Sequence, residues 1–315
     1  MSEFASAPVT GSRIASIDAL RGLTILVMIF VNDLAGVQGT PPWMMHIPTG
    51  SDGMTFVDWV FPAFLFIVGM SIPFALGNRL DKGVSRGDLW RHVLIRTAGL
   101  LIIGVFMVNT EEIENRESLG AYLWIFFMYL AVILIWNESP REPGRKRNIA
   151  LTFRYAGIVS LVILAFLYRR PGASGWMEMQ TSWWGILGLI GWAYFVASSL
   201  YLILRKQLAG MMGMVAILYC VYFAAQVNFF DWVPLLPSYV DIGGMLGSHA
   251  AISVSGVILG SILTPHSPEL SHGARMRWAI LYGLGLLLAG ILLHSLHEVH
   301  AMFIIDKNKA TPPWC

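Results

Sequence analysis

The chain has 315 residues, 56% of them hydrophobic and 13% charged, with a formal net charge of +2 and a mean hydropathy of +0.63. A soluble domain carries about a quarter charged residues, so this composition excludes one large soluble core. The small net charge comes without a basic stripe or aromatic-basic interleaving and gives no footing for a nucleic-acid partner.

Residues 1–12 are polar and small and lack the basic-then-apolar pattern of a signal peptide. They read as a disordered cytoplasmic tail, with the first helix serving as its own targeting signal. Residues 13–315 then read as one transmembrane domain. Apolar segments of spanning length recur at about 17–36, 55–76, 92–108, 119–136, 149–168, 183–204, 211–228, 243–263 and 278–300. Lipid offers no partner to open backbone groups, and runs such as LTILVMIFV do not alternate as barrel strands do. The fold class is therefore an all-α polytopic membrane protein, about nine helices in one bundle with the lipid bilayer as its surroundings.

Charge sets the expected orientation. Arg79, Lys82, Arg86 and Arg91, then Arg141, Arg145, Lys146 and Arg147, then Arg205 and Lys206, then Arg275 and Arg277 fall on every second connection. The intervening connections are poor in Lys and Arg, apart from Arg169 and Arg170. The N-terminus is thus placed in the cytoplasm and the first loop outside. Cys220, inside an apolar run, and Cys315, the last residue, make no disulfide framework.

Asp18 and Arg21, in RIASIDALRG, are three apart and share a helix face. They read either as an interfacial ion pair with a snorkelling arginine or as a guanidinium offered to a phosphorylated donor. Arg96, about a turn inside the third segment, has the same two readings. Asn32, at the outer end of the first helix, either bonds a neighbouring helix or donates to a carbonyl oxygen that gains negative charge.

The loop that follows contains Pro41, Pro42, Trp43 and the single His46. A lone loop histidine is often incidental, yet histidine is the usual general base near neutral pH. Asp58 falls about a turn inside the second segment, where a carboxylate is costly and a functional candidate that could orient His46. Pro62 frees a backbone carbonyl and offers a kink. Asp33 and Asp52 read as solvated loop positions.

The eighth segment opens DIGGMLGSHAAISVSG, with Asp241 at its rim and His249 about two turns in. The ninth ends LLHSLHEVH, which puts His294, His297, Glu298 and His300 near the outer side. Asp241, His249 and His297 are weaker substrate-binding candidates. HEVH lacks the HExxH interval, and no metal is expected. His92, His266 and His272 read as cytoplasmic surface residues.

Several of these stretches together resemble a known family. RIASIDALRGLTILVMIFVND, the His46 loop, MTFVDWVFPAFLFIVGMSI, RTAGLLIIGVFMVN, DIGGMLGSHAAISVSGVILG and DKNKATPPW are similar to the membrane domain of the heparan-alpha-glucosaminide N-acetyltransferase family of transmembrane acyltransferases. The resemblance implies a bacterial-type homologue in the inner membrane that takes acetyl from cytoplasmic acetyl-CoA and delivers it to an amino sugar or other glycan outside. It implies His46 as the catalytic histidine and Asn32 as the active-site asparagine; that Asp58 orients the imidazole is the reading of the residues themselves. Arg21, Arg96 and Asp18 would hold the acetyl-CoA. In the family DKNKATPPW leads into further helices, so the chain is expected to lack the last of them. The Asn32-to-His46 interval is three residues longer than the family's, and its Arg-x-x-Gly-Val-Leu-Gln-Arg segment is replaced by NRESLGAYLWIFFMYL. Two other readings of the same polar residues stand beside this one: a proton-coupled small-molecule transporter, and a non-catalytic membrane subunit of an envelope-assembly complex. Pairing as a homodimer is left open.

Overall fold

The computed structural model describes residues 15–34, 36–137, 143–172, 175, 177–205, 207–232, 239–264 and 271–315; the tail 1–12 and His266 lie outside them. Among the described residues the ordered elements are all helical. The long ones are α1 (Ala15–Leu34), α2 (Val60–Asp81), α3 (Arg86–Asn109), α4 (Leu119–Trp136), α5 (Arg145–Leu167), α6 (Gly185–Leu204), α7 (Leu208–Gln226), α8 (Ile242–Leu263) and α9 (His272–His294). Eight of them, α2 to α9, have the length and apolar composition to cross a membrane. The protein is an integral, multi-pass membrane protein. The ninth helix, α1, is as long but carries Asp18, Arg21 and Asp33.

The chain packs as two compact units, residues 1–97 with 192–315, and residues 98–191. The apolar pattern carries no sign of this division, because it falls inside α3 and α6 rather than in loops.

The core of the first unit is the crossing of α2 and α8. Their backbones meet at small residues. A Cβ on Gly69 would overlap the Ser253 carbonyl, one on Gly256 the Phe66 carbonyl, and one on Gly260 the Met70 carbonyl. Ser253 Oγ donates to the Leu65 carbonyl at 3.1 Å across the same seam. In lipid, where apolar side chains gain nothing by leaving their solvent, such close approach is what holds helices together.

Proline acts elsewhere than expected. Pro62 is the third residue of α2, where its missing N–H costs no helical bond. The backbone widens instead at Pro73–Gly77, a single π turn that absorbs the missing donor of Pro73. Other boundaries shift too. α3 begins at Arg86 rather than near 92, so Arg96 lies almost three turns in. α9 ends at His294, and residues 295–299 are turns.

The second unit closes one end of its helices with polar bonds. Asn109 is fully buried; its Nδ2 donates to the Val105 and Gln180 carbonyls, both at 2.7 Å. Tyr168 Oη donates to the Asn109 carbonyl at 3.1 Å. Arg170 pairs with Glu112 at 2.9 Å, and Arg169 donates to the Phe166 and Tyr168 carbonyls. The two arginines that broke the charge alternation are therefore bound into the protein.

Candidate functional site

The loop from Gly36 to Trp59 is built around one carboxylate. Pro41 leads into a 3-10 turn at Pro42–Met44. A second turn, Ser51 N–H to the Pro48 carbonyl at 3.1 Å, passes through Gly50 at a φ of +80°, which glycine adopts without strain. The chain then returns, and Thr55 Oγ1 donates to the Met45 carbonyl at 2.7 Å.

Asp58 sits two residues ahead of α2 rather than within it, with its side chain fully buried. Its Oδ2 accepts the Thr55 N–H at 2.9 Å and the Ile47 N–H at 3.2 Å, so the carboxylate draws residue 58 back into the loop. Its Oδ1 lies 2.7 Å from His46 Nδ1 and 3.1 Å from Lys307 Nζ. Burial alone would raise the Asp58 carboxyl. The donors Thr55 N–H, His46, Lys307 and Ile47 N–H together outweigh it and hold the group down at about 2.

His46 is half exposed. With Nδ1 on an ionised carboxylate, the neutral imidazole is fixed as the Nδ1–H tautomer, leaving the Nε2 lone pair on the open side. Among the described residues no hydrogen bond engages Nε2. This is the geometry of a base or nucleophile oriented by a buried carboxylate.

Lys307 was not singled out by residue type or spacing. It lies in the turns after α9, held by the Asn308 N–H on Asp306 Oδ1 at 2.9 Å and the Asp306 N–H on Thr311 Oγ1 at 2.9 Å. Asn308 Nδ2 also donates to Thr49 Oγ1 at 3.0 Å. Two bonds pin the same segment further along the loop: Gly53 N–H to the Ile305 carbonyl at 3.0 Å and Ile305 N–H to Asp52 Oδ1 at 2.8 Å. Asp52, expected in solvent, also pairs with His294 Nε2 at 2.9 Å.

The other candidates separate. Asn32 is exposed at the end of α1, and no hydrogen bond joins it to His46. Its neighbour Val31 packs with Val57 and Val60, the residues flanking Asp58 and Trp59. His249 is buried on α8 between two aromatic rings, 5.5 Å from the Phe61 centroid and 5.8 Å from that of Trp314. Asp241 caps α8, accepting the Gly244 N–H at 2.8 Å. His297 is stacked on His294 at 4.9 Å, its Nδ1 on the His294 carbonyl.

Asp18, Arg21 and Arg96 do come together, around one cavity of about 800 Å³ in the first unit. Asp18 and Arg21 form an open ion pair at 3.6 Å, and the Arg96 guanidinium lies 5.1 Å above the Tyr194 ring. His92, expected on the surface, lines the same cavity. The earlier start of α3 places it well inside the helix. From these charges the cavity runs along α2, past Asn78, Ser71 and Val68, to Phe64 and Ile25. Phe64 is four residues beyond Val60, about 6 Å along the axis of α2, and Asp58 lies two residues ahead of that helix start.

The family model described as "Domain of unknown function (DUF5009)" matches residues 13–240. The chain is 33% identical over 162 residues to the heparan-alpha-glucosaminide N-acetyltransferase of Mus musculus, a match covering 51% of this chain and 20% of that protein. With the Homo sapiens protein of the same name it is 33% identical over 150 residues, 48% of this chain and 19% of that one. The match thus spans about a fifth of the length of these curated relatives, and it bears out the resemblance carried by the motifs.

Proposed function

This chain belongs to the DUF5009 family, and we propose that it is a transmembrane acetyltransferase of the inner membrane of a bacterium, moving acetyl from cytoplasmic acetyl-CoA to an amino sugar or other glycan on the far side. The observation that carries this reading is the His46–Asp58 pair at 2.7 Å, with no hydrogen bond to Nε2 among the described residues. The names of the mouse and human relatives support the reaction class. The alternation of basic loops supports the sidedness.

The residues around the cavity fit the donor. Two arginines, His92 and Asn78 gather where phosphates need cations and donors, and Phe64, Val68 and Ile25 line the inner part. The pantetheine arm that carries the thioester, extended along α2, then points toward the loop that holds His46. Asp18 lines the same cavity, paired with Arg21 at 3.6 Å.

In the transfer, the acceptor amine or hydroxyl attacks the thioester carbon and the C–S bond breaks. His46 Nε2 takes the acceptor proton and passes it to the departing sulfur, so that CoA leaves as the thiol. In the covalent variant Nε2 attacks the thioester carbon, the C–S bond breaks and CoA leaves as the thiolate. The acceptor then takes the acetyl as the C–N bond breaks, and its proton passes through the freed imidazole to the thiolate. Asp58 holds the ring, and Asn32 Nδ2 donates to the carbonyl oxygen. Asp241, His249 and His297 are offered to the acceptor side, His249 from its place between Phe61 and Trp314.

The deciding experiment gives radiolabelled acetyl-CoA to purified protein with a panel of amino sugars. Acceptor-dependent CoA release that disappears in His46→Ala and Asp58→Asn is the expected result. Absence of CoA binding, or full turnover in His46→Ala, overturns the reading. Substrate uptake into proteoliposomes without acetyl-CoA would point to a transporter instead.

A further inference from the structure

Two nitrogen groups meet one oxygen at the centre of this site. His46 Nδ1 and Lys307 Nζ lie 2.7 and 3.1 Å from the same Asp58 Oδ1, while Oδ2 is committed to the Thr55 and Ile47 N–H groups. The Lys307 side chain is only 17% exposed and Asp58 not at all, so water screens this charge pair poorly. The segment 305–311 is braced by side-chain and backbone bonds on both flanks of Lys307.

A buried carboxylate whose only partner is a histidine favours the imidazolium, which is useless as a base. A carboxylate already matched by an ammonium does so far less, yet still accepts the Nδ1–H and aims the ring. We propose that Lys307 is a positioning residue that neutralises Asp58, so that His46 is held in orientation without being held protonated. Of the other charges nearby, Asp52 is engaged by His294 and the Ile305 N–H, and the buried Asp306 next to Lys307 accepts the Asn308 N–H on Oδ1, with its Oδ2 making no hydrogen bond among the described residues. Lys309 is exposed. The role of the imidazole in acetyl transfer rests on the reading above; the control of its proton by Lys307 does not.

The test therefore reads the proton directly. Diethyl pyrocarbonate acylates neutral imidazole, and the extent of modification of the His46 peptide against pH gives the midpoint at which the ring loses its proton. The full chain is used, with Lys307→Arg, Lys307→Met and Lys307→Gln, each checked for folding by thermal unfolding in detergent. Lys307→Arg should keep the midpoint, and Lys307→Met should move it up by about one pH unit. If Lys307→Met does not fold, Lys307→Gln, which keeps a neutral donor toward Asp58, decides in the same way. A folded, uncharged variant with an unmoved midpoint overturns the proposal. In acetyl transfer, the acid limb of the pH–rate profile should move with the midpoint, with activity regained at higher pH. A lysine that merely braced the loop would lower the whole profile without moving it. A moving midpoint in a protein that transfers no acetyl would uphold the Lys307 proposal and reject the acetyltransferase reading; acetyl transfer with an unmoved midpoint would do the reverse.

Discussion

His294 at the end of α9 holds Asp52 in the first loop, with Nε2 2.9 Å from Oδ2, and so joins the segment carrying His46 to the helix that precedes Lys307. The pair is about a third exposed, so its own worth is small, within about 1 kcal/mol. Its effect is local. His294→Ala should leave the global unfolding temperature within about a degree or two, while exchange of the Gly53 and Ile305 amides speeds up about three- to five-fold. Hydrogen exchange read by mass spectrometry checks this. Equal acceleration in α2 and α8 would mean that the pair supports the whole unit.

Asp58 makes the first unit sensitive to acid. Its carboxyl is held at about 2, against 3.8 for the ordinary group. A depressed value means that the folded state prefers the ionised form. The stabilisation is complete above about 3.8 and is lost as the pH falls from there through about 2, a difference on the order of 2 kcal/mol. The Asp52 carboxyl, where burial is likewise outweighed by the Ile305 N–H and His294, is lowered as well and adds to the same trend. Unfolding in detergent between pH 2 and 6 should show stability falling on acidification. Asp58→Asn should be less stable at pH 6, because it strands the Lys307 ammonium, and should show a flatter dependence.

Much of this site was legible in the sequence, and what was missed has physical causes. The pairing of His46 with Asp58 followed from residue types and positions, and the two side chains do bond. Lys307 was not legible, because no periodicity links a turn after the last helix to a carboxylate ahead of the second. His92 was read as surface because the apolar pattern of α3 starts late; its first turns are polar yet helical, which puts His92 beside the cavity. Asn32 sits where the pattern put it, but a helix end leaves its side chain exposed. The division into two units escapes hydropathy because it runs through α3 and α6.

The α2–α8 seam should tolerate no side chain. At Gly256 and Gly260 a Cβ meets the facing backbone, which unlike a flexible side chain cannot swing aside. Gly256→Val or Gly260→Val should cost about 3 kcal/mol or more and lower the yield of folded protein. Gly213→Ala on α7, where a Cβ meets open space, should change little. Comparing detergent-extracted monodisperse protein for the three variants checks the contrast. Equal yields would show that the helices can part without loss.

The cavity charges should act on donor binding rather than on chemistry. Arg21 and Arg96 line a cavity whose lining includes neither His46 nor Asp58, so on the proposed reading neither guanidinium acts at the reacting atoms. Losing one charge-assisted hydrogen bond to a phosphate costs about 1.5 kcal/mol, or about tenfold in affinity. Arg21→Met and Arg96→Met should each raise KM for acetyl-CoA about tenfold while kcat stays within about twofold. The two sites differ in what rescues them. Among the described residues Arg21 pairs with Asp18, across an open 3.6 Å gap, and Arg21→Lys should restore most of the affinity. The Arg96 guanidinium carbon lies 5.1 Å from the Tyr194 ring centroid, and a lysine ammonium does not reproduce the broad guanidinium contact with an aromatic face, so Arg96→Lys should stay impaired. Steady-state kinetics with acetyl-CoA, set beside calorimetry with CoA alone, separates binding from turnover. A fall in kcat with unchanged CoA affinity in Arg96→Met would place that guanidinium at the chemistry and the donor much deeper than this cavity.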